Sequence, residues 1–272
     1  MRDGSPRLWP YAPANSPLPL PDRALFTSSQ DVTTLTADFE DLNLDAILSG
    51  SELAEHFAQF FIGQTPLNDH LKAQEVDLLS KRHPILLLGE LANPYCLQDI
   101  NIGPLPIFPC RIQDVCRTWA DGLDSRSAYP GVHHITLART PGWWESAHIG
   151  MATIEQMKAM MAWLDNGIKG VWKAVKLDEG IVRLEHGPNL DPPSKEDVTW
   201  DGSVERVERA SPPGTGPFVD LSMIRVPIHT RHGCYNNRGR LARCAHLNQR
   251  NFHDNLFRKG SSHRWDDVLS TK

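Results

Sequence analysis

At 272 residues and 30.5 kDa, the chain is long enough for one large domain or two small ones. Its 40% hydrophobic and 22% charged residues are those of an ordinary globular protein, and no apolar run reaches the roughly 18 residues of a membrane-spanning helix. The net charge of −5 is unevenly placed: residues 24–71 hold eight acids and no Lys or Arg, whereas 225–272 hold ten Lys/Arg against three Asp.

That asymmetry suits a basic C-terminus meeting RNA, an acidic partner, or the chain's own acidic half. MRDGSPRLWPYAP at the N-terminus lacks the apolar core of a signal peptide. Five irregularly spaced cysteines argue against a disulfide scaffold. The expectation is a reducing compartment, cytoplasmic or nuclear, and no membrane.

In chain order, residues 1–23 contain six prolines, including the PxP run Pro17–Pro21, and read as a flexible arm. Ser51 is placed as the N-cap of a helix carrying Leu53, Phe57, Phe60 and Phe61 on one face and stopping at Gly63. Thr65-Pro66 would open a second helix with Leu67, Leu71, Leu78 and Leu79 inward, packed antiparallel on the first. Residues 131–140 alternate and predict a strand. Thr153 and Gln156 form a capping box inside a predicted helix spanning 150–175, with Met157, Met160, Met161 and Leu164 on one face and Gly167 and Gly170 breaking it. Residues 181–186 and 218–229 predict strands, 187–217 a loop, and 240–257 a last helix. The expected fold class is α+β: a helical N-terminal half over 24–130 and a small mixed α/β half over 131–272, with the boundary near Pro130-Gly131.

The densest apolar segment is 83–124, and it resembles a degenerate F-box. Pro84, Leu87, Leu88 and Leu91 follow the family's opening, Asp99-Ile100 stands at its Asp-Leu step, and Val115-Cys116-Arg117-Thr118-Trp119 matches its close. His83 replaces the leading Leu, and Gly103 to Pro109 inserts an extended run. A second register begins at Leu105-Pro106 and resembles the minimal F-box of the silencing suppressors of poleroviruses. The resemblance implies three short helices that dock a ubiquitin-ligase adaptor subunit through Pro84, Leu88, Leu91, Leu105, Pro106 and Trp119. The remainder would hold a target protein, as in a suppressor of host RNA silencing, with no cofactor.

Other constellations point to chemistry. His229, His232, Cys234, Cys244, His246, His253 and His263 supply ligands that Zn²⁺ accepts, with Cys234, Cys244, His246 and His253 the candidate set. Cys234 and Arg240 stand in the C-x5-R spacing of cysteine phosphatases, which implies Cys234 as nucleophile, Arg240 as phosphate clamp and Asp220 or Asp254 as acid. Residues 131–137, GVHHITL, are similar to the opening strand of glyoxalase-type metal enzymes, which implies His133 or His134 as a ligand and Glu185 as a partner. Since adjacent strand residues face opposite ways, one of the two histidines is expected buried and the other solvated. Arg interleaved with Tyr235, Phe252 and Trp265 over 225–265 suits phosphate contact with base stacking. The leading expectation is a non-enzymatic adaptor; the alternative is an enzyme at Cys234/Arg240 or at a His/Cys metal site.

Overall fold

A computed structural model describes residues 22–39, 43–124, 132–185, 190–257, 261–263 and 265–272. The Pro-rich arm up to residue 21 and the Pro130-Gly131 boundary lie outside the described residues, as do the side chains of His263 and Trp265.

In chain order the elements are β1 (Leu25–Thr27), β2 (Val32–Thr34), β3 (Thr36–Ala37), α1 (Gly50–Ala58), β4 (Phe60–Ile62), β5 (Thr65–Pro66), α2 (Leu67–Ala73), β6 (His83–Leu87), α3 (Pro94–Asp99), β7 (Leu105–Leu123), β8 (His133–Ala152), α4 (Ile154–Asp165), β9 (Trp172–Val175) and β10 (Ile181–Arg183). There follow β11 (Val198–Trp200), β12 (Glu205–Val207), β13 (Phe218–Asp220), β14 (Val226–His229), β15 (Cys234–Asn237), β16 (Arg240–Leu241), the short α5 (Gln249–Asn251) running into a π-helical turn at Phe252–Phe257, β17 (Ser261–His263) and α6 (Trp265–Val268).

The organising element is the antiparallel pair β7–β8, strands of 19 and 20 residues registered from Ile107↔Gly150 to Leu123↔His133. The free edge of β8 is covered by β6. That of β7 is covered in sections, by β1 at Leu105–Ile107, β10 at Arg111–Gln113 and β15 at Ala120. Beyond Gln113 the register slips at Asp114, which has φ +63° and accepts the Gly142 N–H at 2.8 Å. Such a bulge kinks the ribbon and re-aims its distal half.

Both faces of the ribbon are buried. Phe108, Cys110 and Ile112 join Leu53, Phe57, Phe60 and Leu71 in one core, with Phe57 stacked on Phe108 at 3.8 Å. Leu105 and Ile107 face the opposite core with Met160, Leu164 and Trp172. A strand buried on both sides loses the in/out alternation by which strands are recognised. Charged residues sit inside it as pairs. Arg111, 2% exposed, donates to Glu185 (Nε to Oε2, 3.0 Å) and to the Pro212 and Pro213 carbonyls. Arg117 donates to Glu145 at 2.9 Å.

A helical N-terminal half is therefore overturned: strand outweighs helix, 39% against 24%, and the sheet recruits residues from both halves of the chain. The segment 83–124 holds β6, a 3₁₀ turn, one short helix and β7, not three helices. Helix α1 starts two residues early, because Ser49, not Ser51, has Glu52 at the reciprocal capping position. Phe60 and Phe61 lie in strand β4, and Gly63 (φ +60°) turns the chain into β5. The Thr153–Gln156 capping box is present, but α4 ends at Asp165, where Asn166 adopts a left-handed cap. Residues 218–229 form two strands joined by a 3₁₀ turn, the 187–217 segment contains β11 and β12, and the expected helix over 240–257 is confined to 249–257, α5 and the π-helical turn, with Arg240–Leu241 in β16. Among the described residues, no helix is long and apolar enough to cross a membrane.

Removing Glu185 would strand the Arg111 guanidinium in the core. Glu185→Ala is expected to lower stability by about 3–5 kcal/mol, read from the shift of the urea midpoint. A loss under about 1 kcal/mol would show that the carbonyl contacts alone suffice.

Candidate metal centre

The distal end of the β7–β8 ribbon gathers three histidines that are far apart in sequence. His134 stands near the start of β8, His229 ends β14, and His232 lies in the following turn. One ring nitrogen of each lies within 4.8 Å of those of the other two. The His229 and His232 rings stack at 3.8 Å with 9° between planes, and His134 lies 5.4 Å from His229. Trp172 packs edge-on against both His134 and His229.

Each ring is placed by specific contacts. Strand β9 pairs with β14 so that Trp172 opposes His229. Asp165, at the end of α4, accepts the Trp172 N–H at 2.7 Å and holds that strand's start. The turn is pinned at both ends: Thr230 N donates to the Val171 carbonyl at 2.7 Å, while Asp121 and Gly233 exchange two bonds, at 3.0 and 2.9 Å. Gly122 is required by packing, because a Cβ there would fall inside the His232 ring.

The electrostatics favour neutral imidazoles, the form that ligates metals. Burial pushes His229 down to about 4, with His232 and Arg231 adding to the effect. Burial also lowers His232, against the pull of Asp121. His134 Nδ1 lies 3.8 Å from Asp124 Oδ2, within ion-pair reach of the carboxylate. His232 Nδ1 is buried with no hydrogen-bond partner. His229 is committed differently: its Nδ1 accepts the N–H groups of Arg231 (3.2 Å) and His232 (3.0 Å). A neutral ring with Nδ1 accepting carries its proton on Nε2, so ligation by His229 must displace that proton or those two amides. On the His134 side lies a cavity of about 40 Å³, lined among others by Glu90, Leu91, Asp124, His133 and Trp172.

The sequence-derived candidates fare unevenly. Of the two adjacent histidines, both are buried: His134 joins the cluster, and His133 turns to the other face, its Nε2 3.0 Å from His253 Nδ1. Glu185, expected as a metal partner, is held by Arg111. Cys234, Cys244, His246 and His253 do not come together. Cys234 packs with Cys116 and Trp143, Cys244 with Trp119 and Phe252, and His246 Nε2 bonds the Pro193 carbonyl at 2.7 Å.

Cys234 and Arg240 do not face each other: in the β15–β16 hairpin Arg240 stands opposite Asn237, while Cys234 pairs with Ala120 of β7, and among the described residues no helix N-terminus follows Cys234 to cradle phosphate. The Cys234 thiol is fully buried and pushed up to about 12 by burial, which disfavours the thiolate that a nucleophile needs. Arg240 is paired with Glu205 at 2.8 Å. Asp220 is exposed on β13, and Asp254 is paired with Arg250.

The six adaptor-docking candidates offer no exposed side chain. Leu88, Leu91, Leu105, Pro106 and Trp119 are buried and Pro84 is half-buried. Trp119 bonds the Leu247 carbonyl through Nε1 at 2.8 Å. The basic C-terminal region is partly used internally, with Arg243 and Arg240 on Glu205 and Lys272 on Asp178.

Sequence reasoning had His134, His229 and His232 as candidates, but in two separate constellations. The H-x-x-H spacing of His229 and His232 was the one local sign of a shared site. No protein-family model, no curated protein and no solved structure matches the chain.

Two measurements check this geometry. Gly122→Ala is expected to displace the His232 ring and destabilise the protein by about 1–3 kcal/mol by thermal unfolding. Iodoacetamide at mildly alkaline pH should modify Cys96, the one half-buried thiol, while the buried Cys110, Cys116, Cys234 and Cys244 react only after denaturation. Rapid native labelling of Cys234 would contradict its burial.

Proposed function

We propose that His134, His229 and His232 bind a divalent transition metal such as Zn²⁺, and that the chain is a metal-dependent enzyme acting at the adjoining cavity. The observation that carries this reading is the convergence of three imidazoles, from β8, the end of β14 and the turn beyond it, with His134 also lining a small, partly open cavity that has carboxylates in its wall. Three protein nitrogens leave a fourth position for water or a substrate oxygen, the pattern of catalytic rather than structural zinc. Zinc–nitrogen bonds of about 2.0–2.1 Å in a tetrahedron place the nitrogens roughly 3.3 Å apart. From the present spacing, ligation requires a contraction of the ring positions and release of the amides that His229 Nδ1 now accepts.

The chain's own groups have separable roles. Asp124 orients His134 through Nδ1, the carboxylate–histidine arrangement that supports metal ligands from outside. Trp172 closes the apolar side of the rings and limits water access. Glu90 and Asp124 supply carboxylates at the cavity where a proton could be taken up. The volume of about 40 Å³ accommodates a water or a very small polar group in the present conformation. Docking an adaptor onto Leu88, Leu91 and Trp119 would instead require the central ribbon to come apart, since these side chains are at most 6% exposed.

Calorimetric titration of the purified chain with Zn²⁺ is expected to show one site. His134→Ala and His232→Ala should each weaken it by about 100-fold or more, and Asp124→Asn by about tenfold. Retained native circular dichroism in each variant separates ligand loss from misfolding. Absence of saturable binding in the wild-type chain, or unchanged affinity in both histidine variants, would sink the assignment. Because loading must displace what His229 Nδ1 now holds, the backbone amide signals of Arg231 and His232 should shift on Zn²⁺ addition, before more distant amides do.

A further inference from the structure

We infer that a second, independent cleft binds a small organic anion with an apolar body. The cleft has a volume of about 300 Å³ and lies between the 195–205 segment, the strand region 240–243 and the 246–256 segment. Three permanent cations line it: Lys195, Arg240 and Arg243. Against them stands one carboxylate, Glu205.

Glu205 is 3% exposed and already saturated. It accepts from Arg240 Nη1 at 2.8 Å, from the Leu241 N–H at 2.9 Å and from Arg243 Nη1 at 2.7 Å. Two guanidiniums thus share one carboxylate, and the cluster keeps an uncompensated positive charge. Arg243 carries much of it into the interior, with a side chain 3% exposed. Its Nη2 donates to Thr140 Oγ1 at 3.1 Å, its guanidinium lies 5.1 Å from the Trp143 ring centre, and its Nε is buried with no acceptor. A buried charge and a buried donor without a partner are each unfavourable unless something supplies the counter-charge and the lone pair. Of the neighbouring carboxylates, Glu145 is engaged by Arg117 and Asp197 by Arg209, while Glu196 is exposed beside Lys195.

The remaining lining is the His246 ring, whose Nε2 is bonded to the Pro193 carbonyl, and the apolar Val198, Leu241, Ala242, Leu247 and Leu256. A phosphate or carboxylate head would sit toward Arg243, Arg240 and Lys195, where charge-assisted bonds form. The attached ring or chain would cover the leucines. A volume of this size matches the low end of small-molecule sites. The cleft shares none of its lining residues with the cavity beside His134, so either site can fail alone.

The test is calorimetry at low ionic strength on the full chain with phenyl phosphate, benzoate and phenol as probes. Saturable one-site binding of phenyl phosphate or benzoate, with none for phenol, supports the inference, and the stronger of the two anions names the head group. Lys195→Ala, at an exposed position, should weaken binding about fivefold, and Arg240→Ala about tenfold or more, with unchanged thermal unfolding for Lys195→Ala. Arg243→Lys keeps the charge but removes the Nε donor, and is expected to weaken binding more than Lys195→Ala does. No saturable binding of either anion, equal binding of phenol, or affinity unchanged in a Lys195→Ala, Arg240→Ala double variant overturns it.

Discussion

The structure depends on a single constraint: the β7–β8 ribbon is buried on both faces for most of its length, and its charged side chains must be neutralised where they lie. Arg111 with Glu185 and Arg117 with Glu145 meet that requirement inside the sheet. Each pair joins distant parts of the chain, so the ion pairs also choose partners. Arg111 positions β10 and the Pro212–Pro213 loop, while Arg117 ties one strand of the ribbon to the other. The attraction within such pairs largely offsets their desolvation, which makes them stronger as specifiers of register than as sources of net stability.

The same ribbon sets the stage for the histidine cluster. The Asp114 bulge redirects its distal half, and the Asp121–Gly233 bonds attach the turn that carries His232. In this arrangement His229 Nδ1 serves as the cap of its own turn. A metal would compete with two backbone amides for the basicity of that ring. Under the proposed assignment, a metal and the turn conformation would be coupled through that one nitrogen.

The charge asymmetry of the chain has a structural expression at the other cleft. Arg240 and Arg243 belong to the basic C-terminal stretch, and both are drawn to the one carboxylate of Glu205. Folding thus converts a general excess of positive charge into a local one, enclosed by leucines. Both sites border the segment between His229 and Leu247, which lies along the distal edge of β7 through Trp119 and Arg117.

By itself, the sequence determined what short-range chemistry decides. The Thr153–Gln156 capping box, the helix carrying Leu53 and Phe57, the strand opening at the paired histidines, and the presence of ligand-type histidines at 134, 229 and 232 are all legible, because caps, periodicity and residue type act within a few positions. Even the early start of α1 was readable, since Ser49 has a Glu three residues on and Ser51 has an Ala. The long strands were not legible. Two-sided burial erased the alternation of β7 and β8, and arginines and glutamates that look solvent-facing are inside, satisfied by partners up to about a hundred residues away. Which histidines meet was likewise decided only by tertiary structure, because pairing β9 with β14 and fastening Gly233 to Asp121 are long-range choices. Local sequence placed the histidines; the register of buried, charge-paired strands decided which of them meet.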